Sequence, residues 1–228
     1  MEVAEMYLEG KILLFNKPLN WTSFDVVKKV KSKLYYKYKL KKIKVGHAGT
    51  LDPLADGLML ICTGKATKKL NEFQDFDKEY VAKIGLGKTT PSCDLETEFD
   101  HETSIDHIEI DEVKKVLEGF KGVQEQVPPI FSAKKIDGKR AYEMAREKIE
   151  VKMTPARIEI SEIELVEWTM PFIIVRVRCS KGTYIRALAR DIGERLKCGA
   201  YLAGLKRTAI GPYHLNEALA IEKFEEIE

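Results

Sequence analysis

Cysteine is scarce: four residues in 228, at Cys62, Cys93, Cys179 and Cys198, with no C-x-x-C pair. That excludes a disulfide framework and a zinc ribbon, and leaves reduced thiols placed mostly in the core. His47, His101, His107 and His214 are as few and as scattered; no metal site is expected. No apolar run approaches the roughly 20 residues of a membrane-spanning helix. The opening MEVAEMYLEGK has no basic flank followed by a hydrophobic stretch, so a cytoplasmic protein without membrane contact is expected. A P-loop is also missing. GLGKTT at 85–90 follows an apolar stretch, but Ala82 stands where G-x-x-x-x-G-K-[ST] needs glycine, and Pro91 blocks the helix that would supply phosphate-binding amides.

What is present suits an ordinary globular chain. With 44% hydrophobic and 32% charged residues, and a length that buries roughly 70–75% of the unfolded surface, a core needs no metal or disulfide. One domain over 1–228 is expected, without repeats or low-complexity linkers. The formal charge of +2 conceals segregation: KKVKSKLYYKYKLKKIK at 28–44 holds nine lysines and no acid, whereas 100–118 and the final IEKFEEIE are mainly acidic. Tyr35, Tyr36 and Tyr38 interleave with the lysines, which points to nucleic-acid contact: cations for phosphates, rings for bases or for covering lysine stems.

Periodicity places the elements. ILLFN at 12–16 reads as a buried strand, and Thr22 with Asp25 as a capping box ahead of a helix carrying Phe24, Val27, Val30 and Leu34. LMLIC at 58–62 and EYVAKIGLG at 79–87 read as strands, with a helix through Ala66, Leu70 and Phe73 between them. Residues 88–109 read as loop, followed by a helix through Val113, Val116, Leu117 and Phe120. The segment 126–148, with a double proline and an Asp-Gly turn, is expected to project from the body. Alternation at Ile158, Ile160, Ile163 and Leu165, then FIIVRVRC at 172–179, gives two strands. TYIRALARDIGERL follows as a helix with Ile185, Leu188, Ala189, Ile192 and Leu196 on one face. This irregular mixture predicts an α+β fold with a mixed, mostly antiparallel sheet.

GHAGTLDPLADG at 46–57 is the most unusual stretch. Asp-Pro and Ala-Asp-Gly are common turn chemistry, yet the density of small residues suits a pocket floor that a bulky ligand approaches closely. The stretch resembles the signature G-H-x-G-x-L-D-P-x-A-x-G of TruB-type tRNA pseudouridine synthases. KPLNWTS at 17–23, KEYVAKIGLG at 78–87, SAKKIDGKRAYEMAR at 132–146 and CSKGTYIRALARDIG at 179–193 resemble further motifs of that family, in the family's order.

The resemblance implies the pseudouridine synthase fold: a bent mixed sheet flanked by helices, with a central RNA-binding cleft. It implies isomerisation of the T-loop uridine of tRNA (position 55), breaking the N1 glycosidic bond and rejoining C1′ to C5. Asp52 is then the nucleophile, attacking C1′ or C6, with Arg186 holding its charge and Tyr80 packing on the uracil. His47, Tyr184, Leu205 and Lys17 fall on substrate-binding positions. Lys39, Lys41, Lys42 and Lys44, with Lys134 and Arg140 of an RNA-gripping insert at about 126–152, would contact the RNA backbone. The reaction needs no cofactor. The expected partner is the tRNA T arm, met by a monomer without an obligate protein partner. The chain stops soon after GLKRTAIGPY, so no C-terminal PUA domain is expected, and TTPSCDLET at 89–97 departs from the family pattern and receives no role. Guide-dependent modification of rRNA and a tRNA-folding chaperone are the competing readings.

Overall fold

The computed structural model describes residues 3–132, 134–136, 138–147, 149 and 153–225. The chain divides into two units, 1–80 with 205–228, and 81–204. The first unit begins with α1 (Val3–Glu9), β1 (Ile12–Lys17), α2 (Ser23–Tyr38), β2 (Val45–His47) and β3 (Ala55–Thr63). A 3-10 turn then leads into α3 (Leu70–Asp75), and β4 (Lys78–Leu86) crosses to the second unit after Tyr80.

The second unit continues with β5 (Lys88–Thr89), β6 (His101–Glu102), α4 (Ile110–Glu118), β7 (Gly122–Gln126), β8 (Lys135–Ile136), β9 (Lys139–Arg140) and α5 (Ala141–Arg146). β10 (Ala156–Thr169), β11 (Phe172–Cys179) and α6 (Ile185–Arg195) follow. β12 (Ala200–Ile210) returns to the first unit at Leu205, which closes with β13 (Tyr213–His214) and β14 (Leu219–Ala220).

In the first unit β3 is the middle strand. It runs antiparallel to β1, from Ile12 opposite Cys62 to Lys17 opposite Gly57, and parallel to β12, from Leu205 beside Ala55 to Arg207 beside Gly57. β2 pairs with β3, and β14 lies parallel to β1. Because successive strand residues point to opposite faces, the apolar run of β3 serves two cores. Met59 and Ile61 pack with Phe15, Val26, Val30 and Leu34, while Leu58, Leu60 and Cys62 pack with Phe73 and Ile210. A strand covered on both faces reads as a continuous hydrophobic run, as LMLIC does.

α2 starts as expected. The Thr22 hydroxyl accepts from the Asp25 N–H at 3.1 Å and the Asp25 carboxylate accepts from the Thr22 N–H at 2.9 Å. The Thr22 hydroxyl also donates to that carboxylate at 2.6 Å, and this bond first, then the one from the Thr22 N–H, holds the Asp25 carboxyl below its ordinary value. The helix ends inside the lysine stretch with Lys39 left-handed (φ 57°). One expectation fails here: Phe24 is 69% exposed and Val26 takes the buried place beside Val27, Val30 and Leu34. The rest of the expected face, Val27, Val30 and Leu34, is buried, and Phe24 alone falls off its edge.

In the second unit β10 sits between β7 and β11, antiparallel to both, and β4 flanks β11. The expected face of α6 is buried through Ile185, Leu188, Ala189, Ile192 and Leu196. The mixture of parallel and antiparallel pairs with six α-helices among the described residues makes the fold α+β, as expected. All four cysteines are free and buried.

Several features depart from the sequence reading, among them β5 and β6, which pair antiparallel within the stretch 88–109 read as loop. α1 and β7 were not anticipated, and the signature stretch is irregular only between β2 and β3 because Ala55, Asp56 and Gly57 already belong to β3. The segment from 126 does not project at its start: Gln126, Pro128, Pro129 and Ser132 are buried. Residues 133, 137, 148 and 150–152 of the expected insert, and the side chain of Arg140, lie outside the described residues.

Candidate active site

The loop carrying Asp52 belongs to the first unit and is pinned from several sides. The Ser23 hydroxyl, buried in the first turn of α2, donates to the Leu51 carbonyl at 3.0 Å and accepts from the Leu51 N–H at 2.8 Å. A single hydroxyl thereby saturates both backbone groups of the residue preceding Asp52. The Asn20 N–H donates to the Pro53 carbonyl at 2.8 Å, and the Ala55 N–H to the Asp52 carbonyl at 3.1 Å. Asp52 itself is half-buried.

A row of residues crosses three strands beneath this loop: Lys17 on β1, Gly57 on β3 and Arg207 on β12. Gly57 has φ 112°, and a Cβ there would lie 2.4 Å from the Arg207 carbonyl oxygen, so only glycine lets β12 come this close. Arg207 is 1% exposed. Its Nε donates to the Leu58 carbonyl at 2.7 Å, Nη2 to Gly49 at 3.2 Å and Nη1 to Thr50 at 3.4 Å. The planar fork of donors suits this span of carbonyls at the two ends of the loop.

Lys17 has no exposed surface, and its ammonium donates to the carbonyls of Pro18 at 2.9 Å and Trp21 at 2.7 Å. These two bonds anchor the 18–21 turn. Burial pushes its pKa down to about 8, against the opposing pull of the Asp56 and Asp52 carboxylates. His47, on β2, pairs with Ile61 of β3; burial holds its imidazole below the ordinary value, so it is neutral at physiological pH. Leu205 lies beside Ala55, and Tyr80, buried at the end of the unit's share of β4, follows Glu79, whose carboxylate accepts from the Thr208 hydroxyl at 2.7 Å. Asp52, His47, Leu205 and Lys17 are thus on or directly beside β3 and its preceding loop.

The lysine stretch adjoins the same loop. Lys39, Lys41, Lys42 and Lys44 are exposed around the turn after α2. A groove of about 430 Å³, with Lys31, Lys42 and Lys44 on its walls, runs to Gly46 at the start of the signature. Tyr35 and Tyr36 are exposed and meet edge to face, while Tyr38 packs on Tyr7.

In the second unit Arg186 is the second residue of α6 and is buried. Its Nη1 donates to the Phe131 carbonyl at 2.8 Å and, at 3.4 Å, to that of Ser92; its Nε lies 3.6 Å from a carboxylate oxygen of Asp94. Both side chains of this ion pair are 7% exposed. Asp94 is held in turn: its carbonyl accepts from the hydroxyls of Thr90 at 2.6 Å and Ser92 at 3.2 Å, and its carboxylate from the Glu96 N–H at 2.9 Å. The segment TTPSCDLET thus supplies a carboxylate to Arg186, a function its departure from the family pattern concealed. Tyr184, half-buried, is the N-cap of α6. Arg190, one turn on, donates to the Val127 carbonyl at 3.0 Å and pairs with Asp191 at 2.6 Å. Lys134 is half-buried, its ammonium donating to the Thr154 carbonyl at 3.0 Å.

Sequence reasoning thus missed Ser23, Asp94 and Arg207. Each stands inside a motif or beside one, but nothing in a sequence tells which polar residue of a motif turns inward. Among the described residues no group of His, Cys, Asp and Glu is arranged to hold a metal ion.

Comparison with known proteins agrees with this arrangement. A family model described as TruB family pseudouridylate synthase, N-terminal domain, matches residues 36–185, and one for the tRNA pseudouridylate synthase B C-terminal domain matches 186–228. The tRNA pseudouridine synthase B of Parabacteroides distasonis is 54% identical over 220 residues, 96% of this chain and 94% of that protein. That of Flavobacterium johnsoniae is 49% identical over 223 residues, 97% of each. Among solved structures, a Cbf5-Nop10-Gar1 complex contains a chain that superposes with a TM-score of 0.74 at 26% identity; the match covers all of this chain and 60% of that one. With family models spanning the signature loop and both ends of α6, and close relatives matched over nearly their whole length, the chain belongs to the TruB family of pseudouridylate synthases.

Proposed function

We propose that the protein isomerises the T-loop uridine of tRNA to pseudouridine, with Asp52 as nucleophile, Arg186 as the cation that keeps the carboxylate ionised, and Tyr80 against the uracil. The observation that carries this reading is the held signature loop: Ser23 clamps Leu51 and Arg207 gathers Gly49, Thr50 and Leu58, so Asp52 is presented on a backbone that has little freedom to relax. Covalent attack needs a carboxylate positioned before the substrate arrives. Lys39, Lys41, Lys42 and Lys44 supply charge for the RNA backbone beside that loop, and His47, neutral and on β2, is available to fill the space an extruded base leaves. Tyr184 and Leu205 line the uridine site, and Lys134 and Arg140 add backbone contacts. The enzyme works as a monomer in the cytoplasm, without an obligate protein partner.

Identity of about one half to tRNA pseudouridine synthase B proteins, against about one quarter to the Cbf5 chain, favours tRNA as the substrate. The test is incubation of the purified protein with an unmodified tRNA transcript, without ATP or metal, followed by pseudouridine mapping. Product is expected in the T loop with the wild type and none with Asp52→Asn, which retains tRNA binding. Absence of product from tRNA, with product from an rRNA fragment, would overturn the assignment.

A further inference from the structure

We propose that Gln126 is a positioning residue for Arg186, acting through the backbone of Tyr184; the inference rests on the reading of Arg186 given above. α6 starts at Ile185, and its N-cap, Tyr184, provides no side-chain capping bond. The caps that do so have a short oxygen-bearing side chain, which tyrosine lacks. Gln126 fills the gap from 58 positions away. Its Oε1 accepts from the Tyr184 N–H at 2.8 Å and its Nε2 donates to the Tyr184 carbonyl at 3.1 Å. That carbonyl also accepts the first helical bond, from the Leu188 N–H at 3.0 Å. A side-chain amide here pairs with the main chain as a neighbouring strand would.

The chain after Gln126 returns to the same helix twice more. Arg190 binds the Val127 carbonyl, and Arg186 binds the Phe131 carbonyl. Between these points lie Pro128 and Pro129, both buried. Their fixed φ and missing N–H make the intervening segment a stiff spacer. Gln126 is itself fixed to the sheet opposite Ala156 of β10. A closed ring results: β7 to the proline pair, to Phe131, across to Arg186, back through Tyr184 to Gln126. Arg186 takes one of its hydrogen-bond references, the Phe131 carbonyl, from this ring, and Gln126 sets where the ring begins. A residue 3% exposed that served only to fill space would be apolar, because burying an amide without both partners is unfavourable.

The chemistry of the clamp gives a specific test. Gln126→Met keeps the volume and loses both bonds. Gln126→Glu keeps an acceptor, loses the donor as a carboxylate, and regains it when protonated, since a carboxylic acid offers one acceptor and one O–H. We expect single-turnover pseudouridine formation at saturating tRNA to fall about 10²-fold in Gln126→Met, the scale of an ångström-level misplacement, with the tRNA dissociation constant changed by less than about threefold. The rate of Gln126→Glu relative to wild type should rise as pH falls from about 8 to about 5.5, as the acid form sheds the buried charge and regains the donor. Hydrogen exchange of the Tyr184 amide should be faster in Gln126→Met; unchanged exchange would overturn the clamp even if that variant were too unstable to assay. Wild-type rates in both variants, a loss confined to tRNA affinity, or a pH-independent ratio for Gln126→Glu would overturn the positioning role alone. No product from the wild type would instead overturn the underlying function, and this role with it.

Discussion

Replacing Arg207 by methionine keeps the length and apolar stem of the side chain and removes its five donors. Three carbonyls are left behind, of Leu58, Gly49 and Thr50, bonded at 2.7, 3.2 and 3.4 Å. The short bond, to a charged donor, is worth about 1.5–3 kcal/mol, and the two long ones about 0.5–1 kcal/mol each. Relief from burying a guanidinium offsets part of this sum. A net loss of about 3 kcal/mol is expected, well inside the 5–15 kcal/mol of a typical fold, so the variant stays folded. With a urea m-value of about 2 kcal/mol/M, the unfolding midpoint should fall by about 1.5 M. Arg207→Lys, a point charge that does not span three acceptors, should lose about half as much. Because Gly49 and Thr50 lie just before Asp52, amide exchange should rise in the 48–54 loop before it rises elsewhere. A midpoint within about 0.3 M of wild type for Arg207→Met, with m unchanged, would refute the argument that this guanidinium holds the loop.

Lys17 makes a pH-dependent prediction. Its pKa in the folded protein, about 8, lies below the ordinary 10.5, so between those values the unfolded chain binds more protons and stability gains with rising pH. The cost of enclosing the charge is fully present below pH 8 and is relieved towards pH 10.5. The stability of wild type relative to Lys17→Met should therefore climb by up to roughly 3 kcal/mol across that window; a flat difference in urea titrations at several pH values would show that Lys17 is not held as described. Exchanging Lys39, Lys41, Lys42 and Lys44 for glutamine should reduce the slope of log affinity for tRNA against log salt by about 0.7–0.9 for each phosphate no longer neutralised. An unchanged slope would remove this stretch from the RNA footprint.

Much of the molecule was legible in the residue order. α2 and α6, β1 and β11, and the capping box at Thr22 follow from local rules whose causes lie within a few residues: a side-chain oxygen that reaches a nearby N–H, or an apolar face repeated every 3.6 positions. The signature loop, the lysine stretch and the family were readable for a similar reason, since each is a contiguous string. Phe24 marks the limit. Spacing gives the existence of a buried face, but whether Phe24 or Val26 fills it depends on how α2 is turned against Phe15 and Met59.

What the sequence determined alone was therefore local and covalent: which segments become helix or strand, where charge concentrates, and which loop holds the candidate nucleophile. The tertiary structure decided which polar groups turn inward and what they hold. Ser23 meets Leu51 from 28 positions away, Arg186 faces Asp94 from the far side of its unit's sequence, and Arg207 reaches Leu58 across 149 positions. Buried donors and acceptors must find partners wherever the fold brings them, and sequence separation carries no record of that meeting.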